Sequence, residues 1–171
     1  MLLLKLLQQL IKTLNSDGTP GQVAAGMALG AALGLTPLVN LHNLVIVALA
    51  MLLNVSIPGF TMGWGLFVPM GFVLDPVFDR IGRQLLLEPP LRSMWTNWYN
   101  TPIVPFTNFN NSIVVGSFIT WLVLLVPLYF GFRWGIARYR ERVYARLKET
   151  RFFQALTASK LYNLYRLFQP R

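Results

Sequence analysis

The chain has 171 residues, of which 54% are hydrophobic and only 12% are charged. Soluble domains average about 25% charged residues, so this composition favours a protein embedded in a bilayer. The absence of cysteine excludes disulfides, thiolate metal sites and cysteine nucleophiles. The net charge of +9 does not indicate a nucleic-acid partner, because ten of the fifteen Lys and Arg residues fall in residues 133–171 and the sequence contains no nucleic-acid-binding module.

Residues 1–15 predict an amphipathic helix that lies in the membrane interface. Lys5, Gln8, Gln9 and Lys12 share one helical face, and leucines cover the opposite face. The alternative is a helix whose leucine face packs on the rest of the protein. The segment is not typical of a secretory signal, because Lys5 interrupts its apolar run and no small-residue cleavage site follows.

Residues 16–132 predict a membrane domain, and its first helix has a clear start signal. Thr19 is placed to cap the helix, Pro20 takes the first helical position, and Gln22 lies three residues after the cap. The backbone at Thr19, Gly21 and Gln22 is also a candidate site for a lipid phosphate, since the first N–H groups of a helix are free. Ordinary capping by Thr19 explains the same residues without a ligand.

Apolar segments 21–37 and 41–57 predict two helices of seventeen residues each. Each would be roughly 26 Å long, slightly short of the ~30 Å hydrocarbon core of a bilayer. The three residues between them predict an antiparallel helical hairpin. Gly26, Gly30 and Gly34 recur every four residues and predict a small face that another helix approaches closely.

Two further apolar segments complete the predicted membrane domain. Segment 60–74 is broken by Pro69 and three glycines, so we expect a kinked crossing or a re-entrant segment covered by other helices. Segment 112–132 has twenty-one residues without a charge, which is typical of a spanning helix.

The charge distribution predicts how these segments are oriented. Residues 75–111 are nearly neutral and predict an extracytoplasmic loop with an amphipathic helix and tryptophans at the headgroup level. Residues 133–171 predict a basic amphipathic cytoplasmic tail, because positive charge favours the cytoplasmic side. Both termini are then cytoplasmic, whether the first two segments cross fully or form a re-entrant hairpin. The predicted fold class is an all-α membrane protein: a short antiparallel hairpin, a broken third segment, one clear spanning helix, and amphipathic interfacial helices.

Polar residues inside the apolar segments are few, and they include the only histidine of the chain. A single histidine excludes a two-histidine metal site, and we predict no metal or cofactor. We expect His42 to be a hydrogen-bonded residue at the hairpin turn, with catalysis or proton relay as the alternative. The neighbouring polar residues that can bond to it are Asn40, Asn43 and Asn54.

Two charged clusters are candidate contact sites. The first contains Asp75, Asp79, Arg80 and Arg83, in which Asp79 and Arg83 are spaced for an ion pair along a helix. Whether this cluster pairs internally, lines a polar entrance or faces a partner is left open by the sequence. The second follows the last apolar segment and is expected to contact anionic lipid headgroups through Arg133, Arg138, Arg140 and Arg142.

The stretch GTPGQVAAGMALGAALGLTPLVNLHN at residues 18–43 resembles bacterial membrane proteins of the family called "domain of unknown function 2062", in its subgroup of about this length. Similar pieces recur at residues 63–65, 74–78, 99–102, 109–111 and 139–142, so the resemblance covers nearly the whole chain. It implies a small bacterial inner-membrane protein and supplies no catalytic residues. It also implies a partner, because genes of this subgroup often neighbour one for a large envelope protein similar to AsmA-type lipid-transfer proteins.

Together, the residues and the resemblance predict a non-enzymatic subunit of the bacterial inner membrane. It would contact phospholipids, bind a protein partner and assist lipid movement between the bilayer and an envelope lipid-transfer protein. The first alternative is a stand-alone small transporter or lipid flippase that works as a homo-oligomer. The second is a lipid-modifying enzyme that uses His42 or Asp75 as an acid–base group.

Overall fold

The computed structural model describes Leu14 and residues 18–144, and every regular element in that part of the chain is helical. The all-α class is therefore confirmed for these residues. The predicted interfacial helix at 1–15, except Leu14, and most of the basic tail lie outside the described residues. The α-helices are α1 Pro20–Leu35, α2 Leu41–Leu52, α3 Ile57–Leu87, α4 Arg92–Tyr99 and α5 Ser112–Arg138; short 3-10 turns occupy Pro89–Leu91 and Val104–Thr107, and a π-helical turn covers Tyr139–Tyr144.

Helix α1 begins with the capping box that the sequence predicts. The Thr19 hydroxyl accepts from the Gln22 N–H at 3.2 Å, and the Gln22 side chain accepts from the Thr19 N–H at 2.8 Å. Pro20 lies at the first position, where its missing N–H costs no intrahelical bond. This reciprocal cap fixes where α1 starts.

Helices α1 and α3 pack side by side and run in the same direction. Gly26 lies against the Ser56 backbone and Gly34 lies against Phe67, so residue numbers rise together along both helices. A Cβ on Gly30, which lies between them, would overlap a backbone carbonyl oxygen of α3. The small face predicted from sequence thus packs directly against the α3 backbone, where dispersion contacts are densest.

The predicted break in segment 60–74 is wrong, because α3 is one continuous helix from Ile57 to Leu87. The predicted alternative of a crossing segment agrees with its length and composition. Gly63 packs against the Met27 backbone and Gly71 against the Gly34 carbonyl, so these glycines make helix contacts and do not interrupt the helix. Residues 75–87, predicted as part of the loop, are the last turns of α3.

Two prolines lie inside α3 without ending it. Each removes one N–H donor and crowds the carbonyl four residues earlier, which destabilises an isolated helix. Pro69 and Pro76 are exposed, whereas Gly71 and Phe78 are buried on the inner face of the helix. The packed inner face therefore holds α3 in register while the prolines point away from the bundle.

Helix α5 closes the bundle by packing against both α1 and α3. It runs antiparallel to α3, since Gly82 lies against Ser112 and Gly116 lies against Phe78. The Trp121 Nε1–H donates to the Ala28 carbonyl of α1 at 2.9 Å. The resulting three-helix core is built from α1, α3 and α5.

Helix α2 is attached to this bundle through one face. Its buried residues are Asn43, Ile46 and Ala50, one per helical turn. The helix ends at Leu52, short of the predicted limit at 57, because Ser56 caps the start of α3 by accepting from the Gly59 N–H at 3.2 Å. The predicted hairpin of the first two helices is not confirmed, since α1 packs chiefly against α3 and α5.

Two helices are long and apolar enough to cross a membrane, namely α3 and the helix that begins at Ser112. Helices α1 and α2 are shorter apolar helices of sixteen and twelve residues. At 1.5 Å per residue, α2 is only about 18 Å long. The described part of the chain therefore combines two helices of spanning length with two that are too short to span by themselves.

Candidate functional site

The turn between α1 and α2 concentrates buried polar groups. The Thr36 hydroxyl lies 2.8 Å from both the Ala32 carbonyl and Asn43 Oδ1, and its single proton is shared between them. Asn43 donates through Nδ2 to the Pro37 carbonyl at 2.7 Å. Thr36 and Asn43 are each only 4% exposed, and these bonds satisfy their polar atoms as burial requires.

Asn108 joins this turn to the segment that precedes α5. Its Nδ2 donates to the Val39 carbonyl at 3.0 Å and to Asn40 Oδ1 at 2.6 Å. Its backbone has φ of 54°, a left-handed conformation that asparagine tolerates better than most residues. These hydrogen-bond partners lie almost seventy positions earlier in the chain, so the sequence around Asn108 does not indicate them.

His42 lies beside the same turn, where its ring packs on Phe118 at 5.0 Å between centroids. Burial lowers the pKa of His42, and a hydrogen bond with the Thr107 backbone opposes this lowering more weakly. The Nε2 of His42 has no hydrogen-bond partner in the described part of the chain. Asn40 and Asn43 both donate to the Pro37 carbonyl. The printed hydrogen bond of His42 is instead with the Thr107 backbone, and Asn54 lies exposed beyond the other end of α2.

In the first charged cluster, the structure pairs two of the four residues. Arg83 Nε donates to Asp79 Oδ1 at 3.0 Å, and the Ser112 hydroxyl donates to the same oxygen. Ser112 is the first residue of α5, so the Asp79 carboxylate stands at the positive end of that helix dipole. Asp75 and Arg80 do not share in this pair, which links α3 to the start of α5.

The basic end of α5 holds the beginning of the described chain. Arg140 donates through Nε to the Leu14 carbonyl at 2.7 Å and through Nη1 to the Gly18 carbonyl at 2.8 Å. Its guanidinium thus binds backbone groups of this chain. Arg138 lies over the exposed Trp134 ring at 5.4 Å from its centroid, a cation–π contact.

Lipid contacts stay a prediction for the other arginines of the basic cluster and for the residues of the α1 cap. Arg133, Arg138 and Arg142 are exposed. The Thr19 and Gln22 side chains are engaged in capping, and Gly21 faces the Tyr129 hydroxyl.

An aromatic cluster between α3 and α5 was not identified from the sequence as a packed unit. The Trp95 Nε1–H donates to the Leu85 carbonyl at 3.1 Å, and its ring stacks on Phe109 at 5.9 Å. Trp98 and Tyr99 pack edge-on against Phe109. The regular spacing of Trp95, Trp98 and Tyr99 on one short helix was the available signal.

Beside this cluster lies a set of exposed apolar residues on the two segments that Asn108 joins. We call this set the apolar rim; it consists of Leu38, Val39, Ile103 and Phe106. Val39 is 89% exposed and Phe106 is 70% exposed. The rim lies beyond the C-terminal end of α1, whereas the Arg140 contacts lie at its N-terminal end.

A protein-family model described as "Uncharacterized protein conserved in bacteria (DUF2062)" matches residues 4–144. The chain is also similar to an "Uncharacterized protein" of Treponema pallidum (strain Nichols), with 24% identity over 154 residues that cover 88% of this chain and 93% of the relative. No solved structure gives a significant match.

Proposed function

This chain belongs to the bacterial family DUF2062, and we propose that it is a small inner-membrane subunit without enzymatic activity of its own. In this proposal it binds a protein partner, and it assists lipid movement between the bilayer and an envelope lipid-transfer protein. A large envelope protein similar to AsmA-type lipid-transfer proteins is the expected partner.

Placement in the inner membrane is supported by the two helices of spanning length and by their exposed apolar residues. Phe72 and Val73 on α3, and Val123 and Val126 on α5, are exposed large apolar side chains. In water such a surface would be costly, whereas lipid tails solvate it. The family's bacterial range fits this location.

Cytoplasmic placement of both termini is supported by the contacts of Arg140. Its bonds to the Leu14 and Gly18 carbonyls bring the start of the described chain to the basic end of α5. Exposed arginines at that end favour the cytoplasmic side by the positive-inside rule. Both ends of the described chain are then on the same, cytoplasmic, side.

The proposal that the chain binds a partner rests mainly on the exposed outer face of α2. This helix is about 18 Å long, too short to cross alone, and it exposes Leu44, Val45 and Leu52 away from the bundle. Helices associate in lipid through van der Waals packing, and large aliphatic side chains can supply it where a partner has a small face to receive them. A short apolar helix held by one face therefore offers its other face to a helix of a partner.

A non-enzymatic role is supported by the contacts of His42, one of the two candidate acid–base groups. His42 packs on Phe118 and bonds to the Thr107 backbone. Each of these contacts has a structural role. Ala replacement of His42 and of Asp75 tests the enzyme alternative, which requires a loss of phenotype at normal protein levels.

The flippase alternative is favoured by one observation in α3. Pro69 and Pro76 cannot donate to the carbonyls of Gly65 and Phe72, so two carbonyls of a candidate spanning helix lack their usual partner. Freed carbonyls of this kind line substrate sites in transporters. Such a protein would work as a homo-oligomer and need no other subunit.

Purification from native membranes in a mild detergent tests these functions. We expect a stoichiometric larger envelope protein to purify with the wild-type chain. Val45→Trp on α2 should lose that protein, whereas Val123→Trp, the same change on the exposed face of α5, should retain it. A homo-oligomer with full lipid-translocating activity in liposomes would contradict the proposal and support the flippase.

A further inference from the structure

The turn between α1 and α2 satisfies its backbone carbonyls with hydrogen bonds from within the protein. The Pro37 carbonyl accepts from the Asn40 and Asn43 side chains, and the Leu38 carbonyl accepts from the Asn43 side chain and the Asn40 N–H. The Val39 carbonyl accepts from Asn108. The Asn40 carbonyl accepts from the Asn43 N–H. Every carbonyl from Pro37 to Asn40 is thus hydrogen-bonded within the protein.

Although the backbone carbonyls of this turn are polar and hydrogen-bonded, two of its side chains are apolar and exposed. Leu38 and Val39 are exposed, and Val39 is the most exposed large apolar side chain of the described residues. A turn facing water satisfies its carbonyls with water and usually carries polar side chains. A turn facing lipid must satisfy its carbonyls internally and can expose apolar side chains.

The surroundings of the turn continue the same pattern. Ile103 and Phe106 expose apolar side chains on the segment that Asn108 joins to the turn. No Lys, Arg, Asp or Glu occurs in residues 18–74 or 93–132, so the rim carries no charge that must stay in water. Trp98 and Tyr99 lie next along the chain, and such side chains favour the boundary between headgroups and acyl chains.

We propose that the apolar rim is inserted into the lipid leaflet opposite the basic end, at the boundary of headgroups and acyl chains. This inference rests on the membrane placement proposed above and adds a second anchor to it. The occupant is phospholipid, because the turn satisfies its carbonyls within the protein and its uncharged rim exposes apolar side chains. The rim fixes how deeply the α1–α2 turn lies, while the arginines at the other end contact the opposite leaflet.

The chain has no cysteine, so single spin labels report on chosen positions. Val39→Cys and Phe106→Cys place labels on the rim, and Asn97→Cys and Asn100→Cys place labels on exposed polar positions nearby. The proteins are reconstituted into vesicles of phosphatidylethanolamine and phosphatidylglycerol. We expect the two rim labels to collide with oxygen and to lose collisions with a water-soluble nickel chelate. The two asparagine positions should behave in the opposite way.

A label at Val123 on α5 separates the two proposals. Rim labels open to the nickel chelate, with the Val123 label protected, would overturn rim insertion and leave the membrane placement intact. If the Val123 label is also open to the chelate, the membrane placement itself fails. Rim labels that are protected only in native membranes, and open in the vesicles, would show that a protein covers the rim and would overturn the lipid proposal.

Discussion

Helices α1 and α2 are both short, apolar and free of charge, yet they are buried to very different extents. Eleven of the sixteen residues of α1 are buried, against three of the twelve residues of α2. Helix α1 is rich in glycine and alanine, whereas α2 consists mainly of larger aliphatic residues. Hydrophobicity does not explain the difference, because the larger side chains of α2 are the ones left exposed. Small side chains bury α1, since they let two backbones approach.

The largest effect is expected when the central glycine of α1 is enlarged, which tests whether small side chains are what bury this helix. We expect Gly30→Leu to destabilise the protein by about 3 kcal/mol, because its side chain would enter the α3 backbone. Gly65→Leu on α3 is the matched control, since a Cβ there meets no described atom within 4 Å. Unfolding in a detergent titration, followed by circular dichroism, measures both. Equal midpoints would refute close packing of α1 on α3.

A smaller loss is expected at the one buried polar residue of α2. Asn43→Ala removes one of two donors from each of the Pro37 and Leu38 carbonyls and removes one acceptor of the buried Thr36 hydroxyl, so it should cost about 2 kcal/mol. Asn54→Ala is the control, because Asn54 is exposed. The same titration compares the two variants. A neutral Asn43→Ala would mean that the turn does not depend on this side chain.

Removing the hydrogen bond between α1 and α5 should lower the stability of the protein by a smaller amount. Trp121→Phe keeps the buried ring and removes the donor to the Ala28 carbonyl, so we expect a loss of about 1 kcal/mol. Trp134→Phe, at an exposed position, should leave stability unchanged. A Trp121→Phe variant as stable as wild type would show that the Ala28 carbonyl finds another donor.

The smallest effect is expected on the outer face of α2. Leu52→Ala should change the free energy of unfolding by no more than about 0.5 kcal/mol, since Leu52 makes little contact within the chain. Differential scanning of the purified protein in detergent measures this. A loss comparable with that of a core leucine would mean that another part of this chain covers α2.

The sequence predicted the parts of the fold that depend on local chemistry. The capping box at Thr19 and Gln22 and the uncharged helix after Ser112 follow from neighbouring residues alone, and both agree with the structure. The glycine spacing predicted a packing face, but spacing on one helix cannot name the helix that it meets. That partner is α3, whose own glycines were interpreted as breaks.

The error in α3 and the unpredicted contact at the α1–α2 turn have the same physical origin. Pro69 and Gly71 disfavour a helix in isolation, and only packing against α1 and α5 reverses that preference. The bond from Asn108 to the Val39 carbonyl joins residues that are far apart in sequence. Neither effect can be recognised from a short stretch of sequence. Short stretches therefore predicted the helices better than the contacts between them.

The parallel register of α1 and α3 also governs the order in which this protein can be assembled. Helix α1 leaves the ribosome first, but the backbone that fills its glycine face arrives about thirty residues later, from Ser56 to Phe67. Until then its small side chains have little to pack against. Helix α5 arrives later still and meets α3 at Gly82 and Gly116. Among the helices that the structure describes, the nascent chain thus gains its first tight pair once α3 has emerged.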